Sequence, residues 1–112
     1  MDTLIKEIRK FRDDRDWMQF HDPKNMAISI SIEAAELLEH FQWKDSETVK
    51  KHVASNKDDI ADEIADIGIY LLELADNLGI DFKKAALNKL AKNAAKYPVD
   101  KAKGVATKYT DL

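Results

Sequence analysis

The chain contains no cysteine, which excludes disulfides, zinc–thiolate sites and cysteine nucleophiles and suits a reducing compartment. Alternating Val/Thr/aromatic runs and Asn-Gly turns are missing, so nothing in the sequence signals β-structure. No stretch approaches the roughly 18 apolar residues of a membrane span, and no membrane partner is expected. Basic residues are not in excess: 18 Lys and Arg face 21 Asp and Glu, for a net charge of −3. A nucleic-acid partner is therefore not expected, because a phosphate backbone demands a basic face. No glycine-rich phosphate loop exists either, so any phosphate must be held by metal and side chains. The opening MDTLIKEIRKFRDDRDW is amphipathic and charged, without the apolar centre of a signal peptide. The expected location is the cytoplasm.

What is present is a chain of 112 residues, 45% hydrophobic and 35% charged, suited to a single domain over residues 1–112. Leu4, Ile8 and Phe11 keep helical spacing in a first segment that ends near Trp17, followed by a short ordered loop. Asp22-Pro23 reads as an N-cap with proline at the first helical position, opening a helix to about Trp43. A short helix follows Asp45-Ser46. A long one starts near Lys57 and runs to a C-cap at Gly79. Asp81 caps a last helix that Tyr97-Pro98 ends, and residues 99–112 read as a polar, irregular tail. The fold class is all-α, a four- to five-helix bundle.

The chemistry lies in SIEAAELLEHF (31–41) and DEIADIGIYLLELADNL (62–78). Glu33 and Glu36 on one helix, and Glu63 and Asp66 on another, are spaced i, i+3, so each pair lies about 60° apart on its helix. Both helices are otherwise apolar around these positions, so the acids are expected to face an enclosed space. Close, buried carboxylates repel one another and are expensive to desolvate. A divalent cation relieves both penalties. An all-oxygen donor set suits Mg²⁺, with Mn²⁺ as a substitute. A di-iron bundle would want Glu-x-x-His pairs, whereas His40 lies four residues after Glu36 and no histidine follows Glu63. Magnesium held by protein carboxylates commonly shares a substrate phosphate, which points to phosphoryl or nucleotidyl transfer with an activated water. Asp59 and Asp62 are expected at most to assist. Glu39, Glu47, Asp58, Glu73 and Asp76 are assigned to solvated faces or local pairing, and His40 and His52 to surface or core.

Trp17 and Trp43 stand at loop–helix junctions, where an indole either packs in a core or stacks on a base. His21 either meets a ligand or supports the Asp22-Pro23 cap. Tyr70 sits one turn beyond Asp66, and Lys89 and Asn93 share a face of the last helix. Two helices apolar on all sides carry more greasy surface than one short chain can cover, so self-association is expected.

These motifs resemble the MazG-like nucleotide pyrophosphohydrolases of the all-α NTP pyrophosphatase superfamily. With RDWMQFHDPKN (15–25), EHFQW (39–43), KNAAKYP (92–98) and KYTDL (108–112), the resemblance is to the dCTP pyrophosphatase branch and covers nearly the whole chain. The resemblance implies hydrolysis of a deoxynucleoside triphosphate between its α and β phosphates, giving a monophosphate and pyrophosphate. It implies metal ligation by Glu33, Glu36, Glu63 and Asp66, with Glu33 and Glu36 also candidates for taking the water's proton. It implies a nucleotide pocket lined by Trp17, His21, Trp43 and Tyr70, with phosphate and sugar contacts from Lys89, Asn93 and Tyr97. It further implies a homotetramer built as a dimer of dimers. Eukaryotic members of the branch carry a histidine where this chain has Ile8, which opens the base preference to dATP. Other candidate substrates are dUTP, a modified base or phosphoribosyl-ATP. From another class, a non-catalytic helical interaction module would show neither Mg²⁺ dependence nor pyrophosphate release.

Overall fold

A computed structural model describes all residues 1–112 and contains only helices, turns and loops. Helix α1 spans Asp2–Asp14, α2 Pro23–Glu39, α3 Ser46–Ser55, α4 Lys57–Asn77, α5 Phe82–Lys96 and α6 Val99–Ala102, with 3₁₀ turns at Met18–Phe20 and Tyr109–Asp111. The chain divides into two compact units, Met1–Gly79 and Ile80–Leu112.

Local chemistry sets the helix boundaries. Asp22 accepts the Asn25 amide at 2.7 Å, Asp45 the Thr48 amide at 2.8 Å and Asp81 the Lys84 amide at 3.0 Å, each satisfying a donor that has no partner inside its helix. Pro23 occupies the first turn of α2, where its missing N–H is not needed. Helix α4 is closed by Gly79, whose φ of +71° takes the left-handed turn that lets the chain leave the helix. Between α3 and α4, the Asn56 side-chain amide donates to the His52 carbonyl at 3.1 Å and so closes the end of α3.

Three boundaries differ from the sequence reading. The first helix stops at Asp14 rather than near Trp17, because Asp16 adopts a φ of +53°. The second stops at Glu39 rather than near Trp43, because residues 40–43 turn tightly and Trp43 takes a φ of +64°, which a right-handed helix cannot accommodate. The tail is helical in part, with α6 and the Tyr109 turn separated by an irregular stretch over 103–108; the Tyr97 and Tyr109 rings meet edge to face at 6.0 Å, and the Lys96 ammonium lies 4.7 Å from the Tyr109 ring centre.

In the first unit α4 is the hub, packing most extensively on α2 and also on α1 and α3. The buried apolar side chains are Ile8, Met26, Ile60, Leu72 and Ala75, and of these only Met26, at 1% exposure, is sealed completely. Ile28, Ile32 and Leu38 on α2 and Ile64 on α4 remain about half exposed, the uncovered greasy surface expected from the sequence.

Candidate active site

Packing of α2 against α4 brings three carboxylates together. Glu33, Glu36 and Glu63 each offer an oxygen, and the three oxygens lie within 4.8 Å of one another. Oε2 of Glu33 and Oε2 of Glu63 are buried and have no hydrogen-bond partner. A folded protein rarely leaves such atoms unpaired, because each then bears its desolvation penalty uncompensated. Burial above all, then the close approach of the Glu63 and Glu36 carboxyls and the charges of Glu36 and Asp66, pushes the Glu33 carboxyl up to about 7. These residues fit a hard divalent cation, which supplies the positive charge and the bonds that the orphaned oxygens lack. No histidine belongs to the group. Asp66, one turn along α4, stands outside the three-oxygen cluster and lines the adjoining cavity with Glu33. Asp59 and Asp62 are exposed and, like Asp66, stand outside the three-oxygen cluster.

The cavity holds about 630 Å³. Glu33 and Asp66 border one part of it, and Leu4, Ile8, Phe11 and Ile69 supply apolar wall. Trp17, His21 and Tyr70 line it as well, in a chain of rings: Phe11 to Trp17 at 5.7 Å, Trp17 to His21 at 6.3 Å and His21 to Tyr70 at 6.5 Å. Burial, and then the charges of Glu33, Asp66 and Glu73, raises the Tyr70 hydroxyl above its ordinary value and keeps it a donor at neutral pH.

Glu73, assigned from sequence to a solvated face, is only 4% exposed and lines this cavity. Its Oε2 meets His21 Nδ1 at 2.7 Å and accepts from the Asn77 amide at 3.1 Å. Asn77 in turn accepts from the Arg12 guanidinium at 2.8 Å. Arg12 is 8% exposed; its pKa is raised chiefly by hydrogen bonding to Asp13, with the charges of Glu73 and Asp76 adding to it. Asp76, also assigned to solvent or local pairing, forms an ion pair with Arg9 of α1. The sequence did carry a signal for Glu73: it continues the face of α4 that runs through Glu63, Asp66 and Tyr70 at alternating spacings of three and four.

Not every expected site residue lines the cavity. Trp43 is 94% exposed on the loop after α2, so core packing is not its role. In the second unit, Lys89, Asn93 and Tyr97 follow one another at four-residue spacing from α5 to its C-cap, with Asn93 half-buried and the other two exposed. His40 Nδ1 and His52 Nε2 lie 2.8 Å apart, tying the end of α2 to α3.

A cation-ready acid cluster beside an aromatic cavity in an all-helical scaffold defines a class, and comparison with known proteins identifies it. Residues 28–112 match the MazG-like family, and the chain belongs to that family. Among its relatives are dCTP pyrophosphatase 1 of Bos taurus, 40% identical over 99% of this chain and 69% of the relative, and dCTP pyrophosphatase 1 of Homo sapiens, 35% identical over the same shares. The crystal structure of a pyrophosphatase from Archaeoglobus fulgidus superposes with a TM-score of 0.84 at 46% identity, over 88% of this chain and 92% of that one. The all-α fold read from the sequence is borne out. No helix is long and apolar enough to cross a membrane.

Proposed function

We propose that this protein hydrolyses deoxynucleoside triphosphates at the α–β phosphoanhydride in a Mg²⁺-dependent reaction, with dCTP favoured, releasing the monophosphate and pyrophosphate. The chain is a nucleoside triphosphate pyrophosphohydrolase, as its MazG-like family and its pyrophosphatase relatives support. The observation that carries the finer reading is the pair of buried, unpartnered oxygens on Glu33 and Glu63 beside a cavity with an aromatic wall.

Glu33, Glu36 and Glu63 would hold Mg²⁺, or Mn²⁺ in its place, with Asp66 assisting from the next turn. When bound, the metal neutralises triphosphate charge and lowers the pKa of a water. The protein's own groups do the rest. Glu33 and Glu36 are assigned to accept the proton of the attacking water. Trp17 and Tyr70 border the base, with stacking worth about 1–3 kcal/mol per base, and His21 meets a polar edge. Lys89, Asn93 and Tyr97 are assigned to phosphate and sugar, and Trp43 to the nucleotide. Trp43 combines near-complete exposure with left-handed backbone, both unfavourable for an indole, a combination that suits a functional role. The exposed Ile28, Ile32, Leu38 and Ile64 support self-association, which we assign as a homotetramer of paired dimers, and the cytoplasmic nucleotide pool is the assigned setting. Ile8, in the cavity wall, stands where eukaryotic members of the branch carry a histidine, which leaves dATP as the second candidate substrate.

The test is pyrophosphate release from a panel of canonical dNTPs and NTPs with and without Mg²⁺. Mg²⁺-dependent release led by dCTP is the expected result. Release led by another nucleotide overturns the base preference and keeps the chemistry; no release from any of them overturns the reading.

A further inference from the structure

We propose that Glu73 reads the nucleobase, selecting bases that carry an exocyclic amino group, cytosine or adenine, over their keto counterparts uracil and hypoxanthine. The inference rests on the nucleotide reading above and deepens it. Glu73 is a buried acid in the cavity wall, and nothing in the hydrolytic chemistry uses it. Both of its hydrogen bonds end on Oε2, from His21 at 2.7 Å and Asn77 at 3.1 Å. Asn77 is itself held by Arg12 at 2.8 Å. The carboxylate plane is thus fixed by α1, α4 and the loop before α2, and Oε1 is left without a protein partner. Oε1 is not sealed in, since the only sealed and unpartnered side-chain oxygens of the chain belong to Glu33 and Glu63.

The cavity it lines has apolar and aromatic walls from Ile8, Phe11, Ile69 and Tyr70, with Glu7, Glu33 and Asp66 as its other acids. Glu73 also lies seven residues beyond Asp66 on the same face of α4, about 10 Å along the helix. The acids that would hold the phosphate end and the acceptor that would meet the base therefore share one helix face.

An ionised carboxylate only accepts hydrogen bonds. The N4 amino group of cytosine and the N6 amino group of adenine donate to it, whereas O4 of uracil and O6 of hypoxanthine turn a lone pair toward its charge. A fixed, partly desolvated acceptor rejects the wrong edge because both groups are then left unpaired and repelling.

The experiment measures binding of dCMP, dUMP, dAMP and dIMP by calorimetry, and kcat/KM for the matching triphosphates, in the wild type and in Glu73→Gln. The amide that this substitution introduces can donate as well as accept, so it removes the discrimination while keeping the shape. In the wild type, the amino member of at least one pair should bind about 10-fold tighter or more than its keto partner, and Glu73→Gln should bring the two within about 3-fold. Equal or keto-favoured binding in both wild-type pairs overturns the proposal, as does absence of binding by all four at millimolar concentration, or discrimination that survives in a variant shown by circular dichroism to be folded. The wild-type comparison decides even if the variant does not fold. Discriminating binding without pyrophosphate release overturns the hydrolytic reading and leaves Glu73 its role. Release without discrimination does the reverse.

Discussion

Helix α4 carries two acids that bury carboxylate oxygen, Glu73 wholly and Glu63 in part, and their surroundings differ. Glu73, near its C-terminal end, has protein partners in His21 and Asn77, and the charge of Arg12 close by. Glu63, about 15 Å back along the same helix, presents a buried oxygen with no partner and faces Glu33, whose orphaned oxygen doubles the deficit. At one end the partnered oxygen of Glu73 is held as the chain folds and its other oxygen stays open to the cavity; at the other end the sealed oxygens have no partner until something cationic arrives. A buried acid with protein donors around it is a fixed element of the wall, whereas buried acids that face one another describe a ligand by what they lack.

That contrast breaks first, and most visibly, at the unpartnered end. Glu63→Gln should lower Mg²⁺-dependent pyrophosphate release by more than about 100-fold, since even residues that only support metal ligands matter at the 10–100-fold level. The same change removes one of the facing charges, so the metal-free variant should melt no lower than the wild type and keep its helicity. Activity within a few-fold of wild type, or a marked fall in the melting temperature without metal, would refute the assignment of this cluster to a cation.

At the partnered end the sign reverses. Glu73→Ala strands the Nδ1 group of His21 and the Asn77 amide in a half-buried setting, and unmade hydrogen bonds of this kind cost about 1–3 kcal/mol each. Chemical denaturation should therefore show Glu73→Ala destabilised by about 2 kcal/mol or more on that scale, in the presence or absence of Mg²⁺. If Glu73→Ala proved neutral while Glu63→Gln destabilised, the two ends would have to be exchanged.

The two ends also differ in how far they could be read from the sequence. Glu33, Glu36 and Glu63 were legible because their spacing is local to each helix and their neighbours are apolar, so only one question was left to the fold: whether α2 and α4 face each other. They do. The caps at Asp22 and Asp81, the helix start after Asp45 and the turn at Gly79 were legible for the same reason, each depending on residues within four positions. Glu73 was not. Beside Leu74, and three residues before Asp76, it has the local pattern of a solvated acid, and its burial depends on His21, 52 residues away, and on Arg12 of α1. The left-handed backbone at Trp43 was equally hidden, because an indole gives no local hint of a positive φ.

The smallest effect sharpens the comparison through pH. The ordinary Glu33 value of 4.5 rises to about 7 in the fold, chiefly by burial. The folded, metal-free protein therefore holds a proton that the unfolded chain releases. Its contribution to stability is full below pH 4.5 and is lost as pH rises through about 7. Asp45, held low by hydrogen bonds from Thr48, and Asp76, held low by Arg9, act in the opposite direction at or below pH 3.8, outside this window, whereas His52, held below 6.5 by burial and then by the charges of Lys44 and His40, opposes Glu33 within it. The melting temperature of metal-free wild type, measured against that of Glu33→Gln, should thus decline modestly between pH 5 and pH 7.5, because the amide has no proton to lose while His52 is common to both. Saturating Mg²⁺ should flatten that decline, since a bound cation takes the place of the proton and favours the ionised carboxylate. Glu73→Gln should leave the contribution from the acid cluster in place, because the partners of Glu73 lie at the other end of the helix. A decline identical in the wild type and in Glu33→Gln would show that the proton is held elsewhere, and with it that the facing acids do not share the burden their geometry assigns to them.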